Sequence, residues 1–150
     1  MREGDEVPDF QLPDQTGTTR SLSALLADGP VVLFFYPAAM TGGCTKEACH
    51  FRDVGADYAA KGVQRVGISR DDVAKQKEFA DQNSFDYPLL SDVDGSVAAS
   101  FGVKRGGLLG KLGPVKRATF VIGQDRKIIK VVQSETKMEL HADEALTAFA

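Results

Sequence analysis

Val31-Val32-Leu33-Phe34-Phe35-Tyr36-Pro37-Ala38-Ala39-Met40-Thr41-Gly42-Gly43-Cys44 is the stretch on which the reading of this chain turns. Its first six residues are a continuous apolar run of β-branched and aromatic side chains, the pattern of a strand covered on both faces in a parallel sheet. Pro37 ends the strand, because it fixes φ and has no N–H to give to a ladder. The loop 37–43 then carries a rigid wall at Pro37, a hydroxyl at Thr41, and two glycines, Gly42 and Gly43, that let a small ligand approach the backbone. Residues 44–61 place Ala48, Phe51 and Tyr58 at helical spacing until Gly62 stops the helix, with Gly55 a weak former inside it. Cys44 therefore sits where a helix begins, and the unpaired N–H groups and dipole of the first turn favour thiolate, the nucleophilic form, over thiol.

The rest of the chain builds outward from that strand. Residues 10–12 and 18–20, with Pro13-Asp14-Gln15-Thr16-Gly17 between them, read as a short hairpin, and Ser21 caps a helix that ends by Gly29. Residues 63–69 form a second buried strand, and Asp71 or Asp72 caps a helix to about Asn83. A short extended piece at 87–90 precedes a helix capped by Asp94, and the glycine-rich stretch 104–114 reads as a loop. Residues 117–122 and 127–132, joined by Gly123-Gln124-Asp125-Arg126, make an antiparallel hairpin, and 141–149 closes with a helical pattern. Parallel β-α-β units followed by β-β-α predict an α/β, thioredoxin-like fold: a mixed central sheet, flanking helices and an N-terminal hairpin extension.

Composition narrows what such a fold does here. One domain spanning 1–150 is expected, with 18 Lys plus Arg against 21 Asp plus Glu, a net charge of −3. A pI near 5.4 with the two signs interspersed argues against a nucleic-acid partner. The longest apolar run, 31–40, is about half of what a membrane span needs and contains Pro37, so no membrane association is expected. Residues 1–6 alternate charges where a signal peptide needs an apolar stretch, which makes the cytoplasm the expected location. Two cysteines in that setting point to reactive or metal-binding thiols rather than a structural bridge.

At this point the chain resembles a known family. Pro37-x-x-x-Thr41-x-x-Cys44 has the pattern of the peroxiredoxin active site. Five blocks in order are similar to the bacterioferritin-comigratory-protein or Q-type branch: Phe35-Tyr36-Pro37, the run from Gly43 to Cys49, Phe51-Arg52-Asp53, Pro88-Leu89-Leu90-Ser91-Asp92, and Arg117-Ala118-Thr119-Phe120-Val121-Ile122. The resemblance implies a thioredoxin-fold thiol peroxidase acting on hydrogen peroxide and organic hydroperoxides. Cys44 would become sulfenic acid, and Cys49, five residues on, would resolve it as an intramolecular disulfide recycled by thioredoxin or a similar dithiol. It further implies that Pro37 and Thr41 shape the peroxide pocket, that Arg117 lies beside the sulfur, and that Glu47 holds the arginine. A guanidinium suits that place, since it stays charged and offers hydrogen bonds to developing charge on a leaving oxygen. No cofactor is implied, and the branch is often monomeric, so a monomer is expected. Ala39-Met40 and Gly42 depart from the acidic residues and the proline the branch commonly carries there.

Taken singly, the same residues have plainer readings. Two cysteines can be inert core thiols, Arg117 and Glu47 solvated surface partners, and Pro37 and Thr41 turn residues. His50 reads as a partly exposed helix residue, and His141 as the cap or first residue of the last helix. Two other functions use the same cysteines: a thioredoxin-fold metal (copper) carrier, against which the lack of a third ligand in sequence speaks, and a redox-switched interaction protein. If Cys44 and Cys49 do pair, helix geometry holds them apart, so residues 44–52 are expected to unwind on oxidation.

Overall fold

A computed structural model describes residues 1–104 and 115–149. Of the glycine-rich stretch read as a loop, only Lys104 is among them, and it bridges to Val115; residues 105–114 lie outside the described residues.

The N-terminal hairpin pairs β1 (Gln11–Pro13) antiparallel with β2 (Thr19–Ser21) as a two-stranded sheet of its own. Ser21 then caps α1 (Leu22–Leu26), its hydroxyl oxygen accepting from the Ala24 N–H at 3.2 Å. The main sheet holds β3 (Val31–Phe35), β4 (Gln64–Ser69), β5 (Leu89–Ser91), β6 (Ala118–Ile122) and β7 (Ile128–Gln133) in the order β5-β4-β3-β6-β7. β3, β4 and β5 run parallel, while β6 is antiparallel to both β3 and β7. This is a thioredoxin-like mixed sheet.

Helices cover both faces, which is why β3 is apolar at every position. Val31, Leu33 and Phe35 pack with Leu22, Leu25 and Leu26 of α1 and with Val97, Ala98 and Phe101 at α5 (Ser96–Ser100). Val32, Phe34 and Tyr36 pack on the other side with α2 (Gly42–Asp53), α3 (Gly55–Ala60), α4 (Val73–Asn83) and α6 (Leu140–Leu146), through Phe51, Tyr58, Phe79 and Ala142. The register Phe35↔Ala118 sets Arg117 beside the carboxyl end of β3, where the loop to α2 departs. An antiparallel neighbour is required for that: a parallel β6 would start at the far end of the sheet.

Three local expectations shift. The helix expected over 44–61 is two, broken at Val54, and the cause is tertiary. The Arg65 guanidinium donates to the Phe51 carbonyl at 3.0 Å, taking the acceptor that the Gly55 N–H would use in a continuous helix, and a Cβ on Gly55 would meet Arg65 Nη1 at 2.8 Å. α2 also begins earlier than expected, so Cys44 is its third residue. α5 is capped by Gly95 at φ 73° rather than by Asp94, and Asp92 accepts from the N–H groups of Val97 and Ala98 at 3.1 and 2.9 Å.

Candidate active site

The loop from β3 to α2 is held from below by a buried polar chain. Tyr36 donates its hydroxyl to Gln76 Oε1, Gln76 Nε2 donates to Ser69 Oγ at 2.9 Å, and Ser69 Oγ donates to Asp71 Oδ2 at 2.6 Å. The same Asp71 oxygen accepts the Ala39 N–H at 2.7 Å. Asp72 alone caps α4, accepting from the Lys75 N–H at 2.8 Å, so Asp71 is free to anchor the loop. Met40 takes the left-handed conformation, φ 63°, which is costly for a non-glycine residue and which this anchoring sustains. Thr41, the exposed N-cap of α2, spends its hydroxyl hydrogen on the Ala38 carbonyl at 2.9 Å, leaving the oxygen only as an acceptor. Pro37 is half-buried at the head of the same loop.

Cys44 is buried in the first turn of α2, where the N–H groups of Gly42, Gly43 and Cys44 have no intrahelical partner. Arg117 Nη2 donates to Cys44 Sγ at 3.2 Å, and Arg117 Nη1 donates to Glu47 Oε1 at 2.8 Å. The two side chains of that ion pair are 6% and 0% exposed, so solvent screens it little. The backbone N–H of Arg117 donates to Glu135 Oε1 at 3.1 Å, fixing the strand entry from the segment between β7 and α6. Gly43 packs closely here, since a Cβ there would meet Met138 Cε at 3.0 Å and Arg117 Nη2 at 3.3 Å, so a side chain would have to displace one or the other by a few tenths of an ångström. Glu47 Oε2 and Arg117 Nε are buried without a hydrogen-bond partner among the described residues. Burial pushes the Glu47 carboxyl up to about 8, and the attraction of Arg117 offsets this only in part.

The structure thus brings together Cys44, Glu47 and Arg117, with Thr41 and Pro37 on the adjoining loop. It does not bring Cys49 to them. That residue lies further along α2, half-buried, with Sγ 3.6 Å from Asn83 Oδ1, and both cysteines are free thiols. His50 is tied to Asp143 of α6 at 2.7 Å. His141 stands in the first turn of α6, as its second residue, close to the expected place, but it is fully buried, 3.6 Å from Glu47 Oε2. Asp71, Glu135, Met138 and His141 join the site only through tertiary contacts, and no local pattern in the sequence marks them.

A buried cysteine in the first turn of a helix, with a guanidinium on its sulfur and a thioredoxin-like sheet beneath, is the constellation of a thiol-dependent peroxidase. Residues 3–131 match the model of the AhpC/TSA family. The chain is 66% identical to the peroxidoxin BcpB of Mycobacterium tuberculosis, whose crystal structure it superposes on with a TM-score of 0.94, over 99% of this chain and 96% of that one. It is 40% identical to the chloroplastic peroxiredoxin Q of Arabidopsis thaliana over 97% of this chain and 66% of the relative. A crystal structure of the bacterioferritin comigratory protein of Xanthomonas campestris is 29% identical, with a TM-score of 0.83 over 93% of this chain and 88% of that one. The chain belongs to the AhpC/TSA family of peroxiredoxins and is a thiol peroxidase with Q-type and bacterioferritin-comigratory-protein relatives. Among the described residues no helix is long and apolar enough to cross a membrane, and no three His, Cys, Asp or Glu side chains gather as a metal site.

Proposed function

We propose that residues 1–150 form one peroxiredoxin domain that reduces hydrogen peroxide and organic hydroperoxides through Cys44. The observation that carries this reading is the 3.2 Å hydrogen bond from Arg117 to the buried Cys44 sulfur at the start of α2. The Cys44 thiolate attacks one peroxide oxygen; the O–O bond breaks, one proton is taken up, and the products are Cys44 sulfenic acid and an alcohol or water. Arg117 donates Nη2 to the sulfur and has Nε left over as a buried donor for a substrate oxygen, while Thr41 Oγ1 accepts the peroxide hydrogen and Pro37 walls the pocket. Glu47 orients the guanidinium. The Cys49 thiol then displaces water from the sulfenic acid to give an intramolecular disulfide, and a thioredoxin-type dithiol reduces it. Support for organic substrates comes from the Xanthomonas campestris relative, described by its alkyl peroxide reduction activity. The protein acts as a monomer in the cytoplasm, a compartment that keeps the two free thiols reduced.

Peroxide consumption followed in parallel with thioredoxin, with glutaredoxin and without reductant tests this. Turnover of both hydrogen peroxide and an alkyl hydroperoxide, sustained by thioredoxin, is expected. Stoichiometric consumption alone in all three arms would remove the recycling step.

A further inference from the structure

The polar groups gathered at Cys44 deal with the oxygens of a peroxide and leave its carbon substituent unaddressed. Arg117 supplies donors and Thr41 an acceptor, and they meet hydrogen peroxide and an alkyl hydroperoxide alike. Apolar side chains also border the sulfur. Cys44 and Ala39 are buried in one hydrophobic cluster, with Met40 packed against it. On the side of the guanidinium stands Met138. The position a Cβ of Gly43 would take lies 3.0 Å from Met138 Cε, 3.7 Å from Met138 Sδ and 3.3 Å from Arg117 Nη2, the atom that bonds the sulfur. Gly43 and Met138 are complementary in shape: the side chain that one lacks leaves room for the thioether of the other.

The backbone that carries Met138 is fixed, while its side chain remains adaptable. Residues 134–139 join β7 to α6. Glu135 Oε1 accepts the Arg117 N–H at 3.1 Å, Ser134 Oγ accepts the Lys137 N–H at 2.9 Å, and the Ser134 carbonyl accepts from His141 Nε2 at 2.8 Å. Within Ser134-Glu135-Thr136-Lys137-Met138-Glu139 the methionine is the one hydrophobic residue, and it is half-buried against the site rather than turned to solvent. An unbranched, polarizable thioether moulds itself to apolar groups of different shape.

We propose that Met138 is a specificity-determining residue: its thioether is the wall on which the carbon substituent of an organic hydroperoxide packs while the peroxide oxygens lie against Cys44 and Arg117. This deepens, and rests on, the reading of Cys44 as the peroxide-reducing thiolate. Hydrogen peroxide has no substituent to place there, so the contact raises the rate for small alkyl hydroperoxides and leaves that for hydrogen peroxide alone.

The test follows oxidation of Cys44 in the reduced full chain by rapid quench and mass. In the unmodified protein the second-order rate should rise from methyl to ethyl to propyl hydroperoxide, by about two- to fourfold for each methylene taken out of water. Met138→Gln, similar in length but polar, should lower the propyl hydroperoxide rate roughly tenfold and leave the hydrogen peroxide rate within about twofold, whereas Met138→Leu should retain most of the preference. A flat series in the unmodified protein overturns the proposal without recourse to any variant. So does a Met138→Gln that slows both peroxides by one factor or slows neither, or a Met138→Leu that loses the preference as fully as Met138→Gln. Failure of the peroxidase reading is separate, since Cys44 would then go unoxidised by every peroxide in the series.

Discussion

Closure of a Cys44–Cys49 disulfide should open the first turns of α2, and the size of the change follows from what holds them. Both cysteines lie within one intact helix. Five residues on a helix are ~7.5 Å of rise and about 140° of net rotation, which puts the two Cα atoms roughly 8–9 Å apart. A disulfide needs about 4.4–6.8 Å. Opening residues 44–50 breaks the Glu47–Arg117 pair, the bond from the Tyr87 hydroxyl to the Ala48 carbonyl at 2.6 Å, the His50–Asp143 pair at 2.7 Å and the Cys49–Asn83 contact. The first two are buried and the third is largely wet, so together they contribute about 3–4 kcal/mol, and the reduced helix is open roughly one part in 150 to 1,000. Beyond them Phe51 is fully buried and stacked on Phe34, ring centroids 4.0 Å apart, and Arg52 and Arg65 hold the end of α2. The opening should therefore stop before Phe51, short of the 44–52 span read from the sequence. Amide hydrogen exchange on both redox forms, with the disulfide verified by mass, should show residues 44–50 exchanging about two to three decades faster when oxidised, while β3 is unchanged. An acceleration under about tenfold in that segment would refute the argument.

Other perturbations probe single parts. Cys44→Ser should abolish peroxide reduction, whereas Cys49→Ser should consume about one equivalent and accumulate sulfenic acid detectable by mass. Arg117→Met removes a buried hydrogen bond from a charged guanidinium to the Cys44 sulfur, about 1.5–3 kcal/mol, and should slow Cys44 oxidation by roughly 10- to 100-fold in stopped flow. Arg117→Lys, which cannot fork between Glu47 and the sulfur, should recover little. Phe51→Ala should cost about 3–5 kcal/mol in urea unfolding of the reduced protein. Glu47 contributes a pH slope: its folded carboxyl is raised from 4.5 to about 8, so the native state holds a proton that the unfolded chain has released. Stability should therefore fall as pH rises through that window, and Glu47→Gln should flatten the slope in urea titrations.

How much of this was legible in the sequence depends on whether the cause is local. β3 and the position of Cys44 follow from an apolar run and its proline and glycine punctuation, and Ser21 and Asp72 cap the helices their types suggest. Arg117 and Glu47 are marked only by the family resemblance, since neither has a local signature. The break at Val54 was not legible because a strand residue, Arg65, takes the Phe51 carbonyl. Asp71 looked like a helix cap because it adjoins one; only the folded loop shows it holding Ala39. His141 stands at a helix start in both views, but its burial against Glu47 depends on where α6 meets the sheet.

The antiparallel entry of β6 also has a consequence in time. The donor that bonds the Cys44 sulfur is 73 residues further along the chain. At roughly 5–20 residues per second, a ribosome adds it about 4–15 s after the cysteine. During that interval the nascent chain carries Cys44 without its guanidinium, and β6 cannot dock until it too has been made. On the proposed mechanism the thiol gains its reactivity only when the sheet is complete, so a growing chain is not consumed by the oxidant its finished form removes.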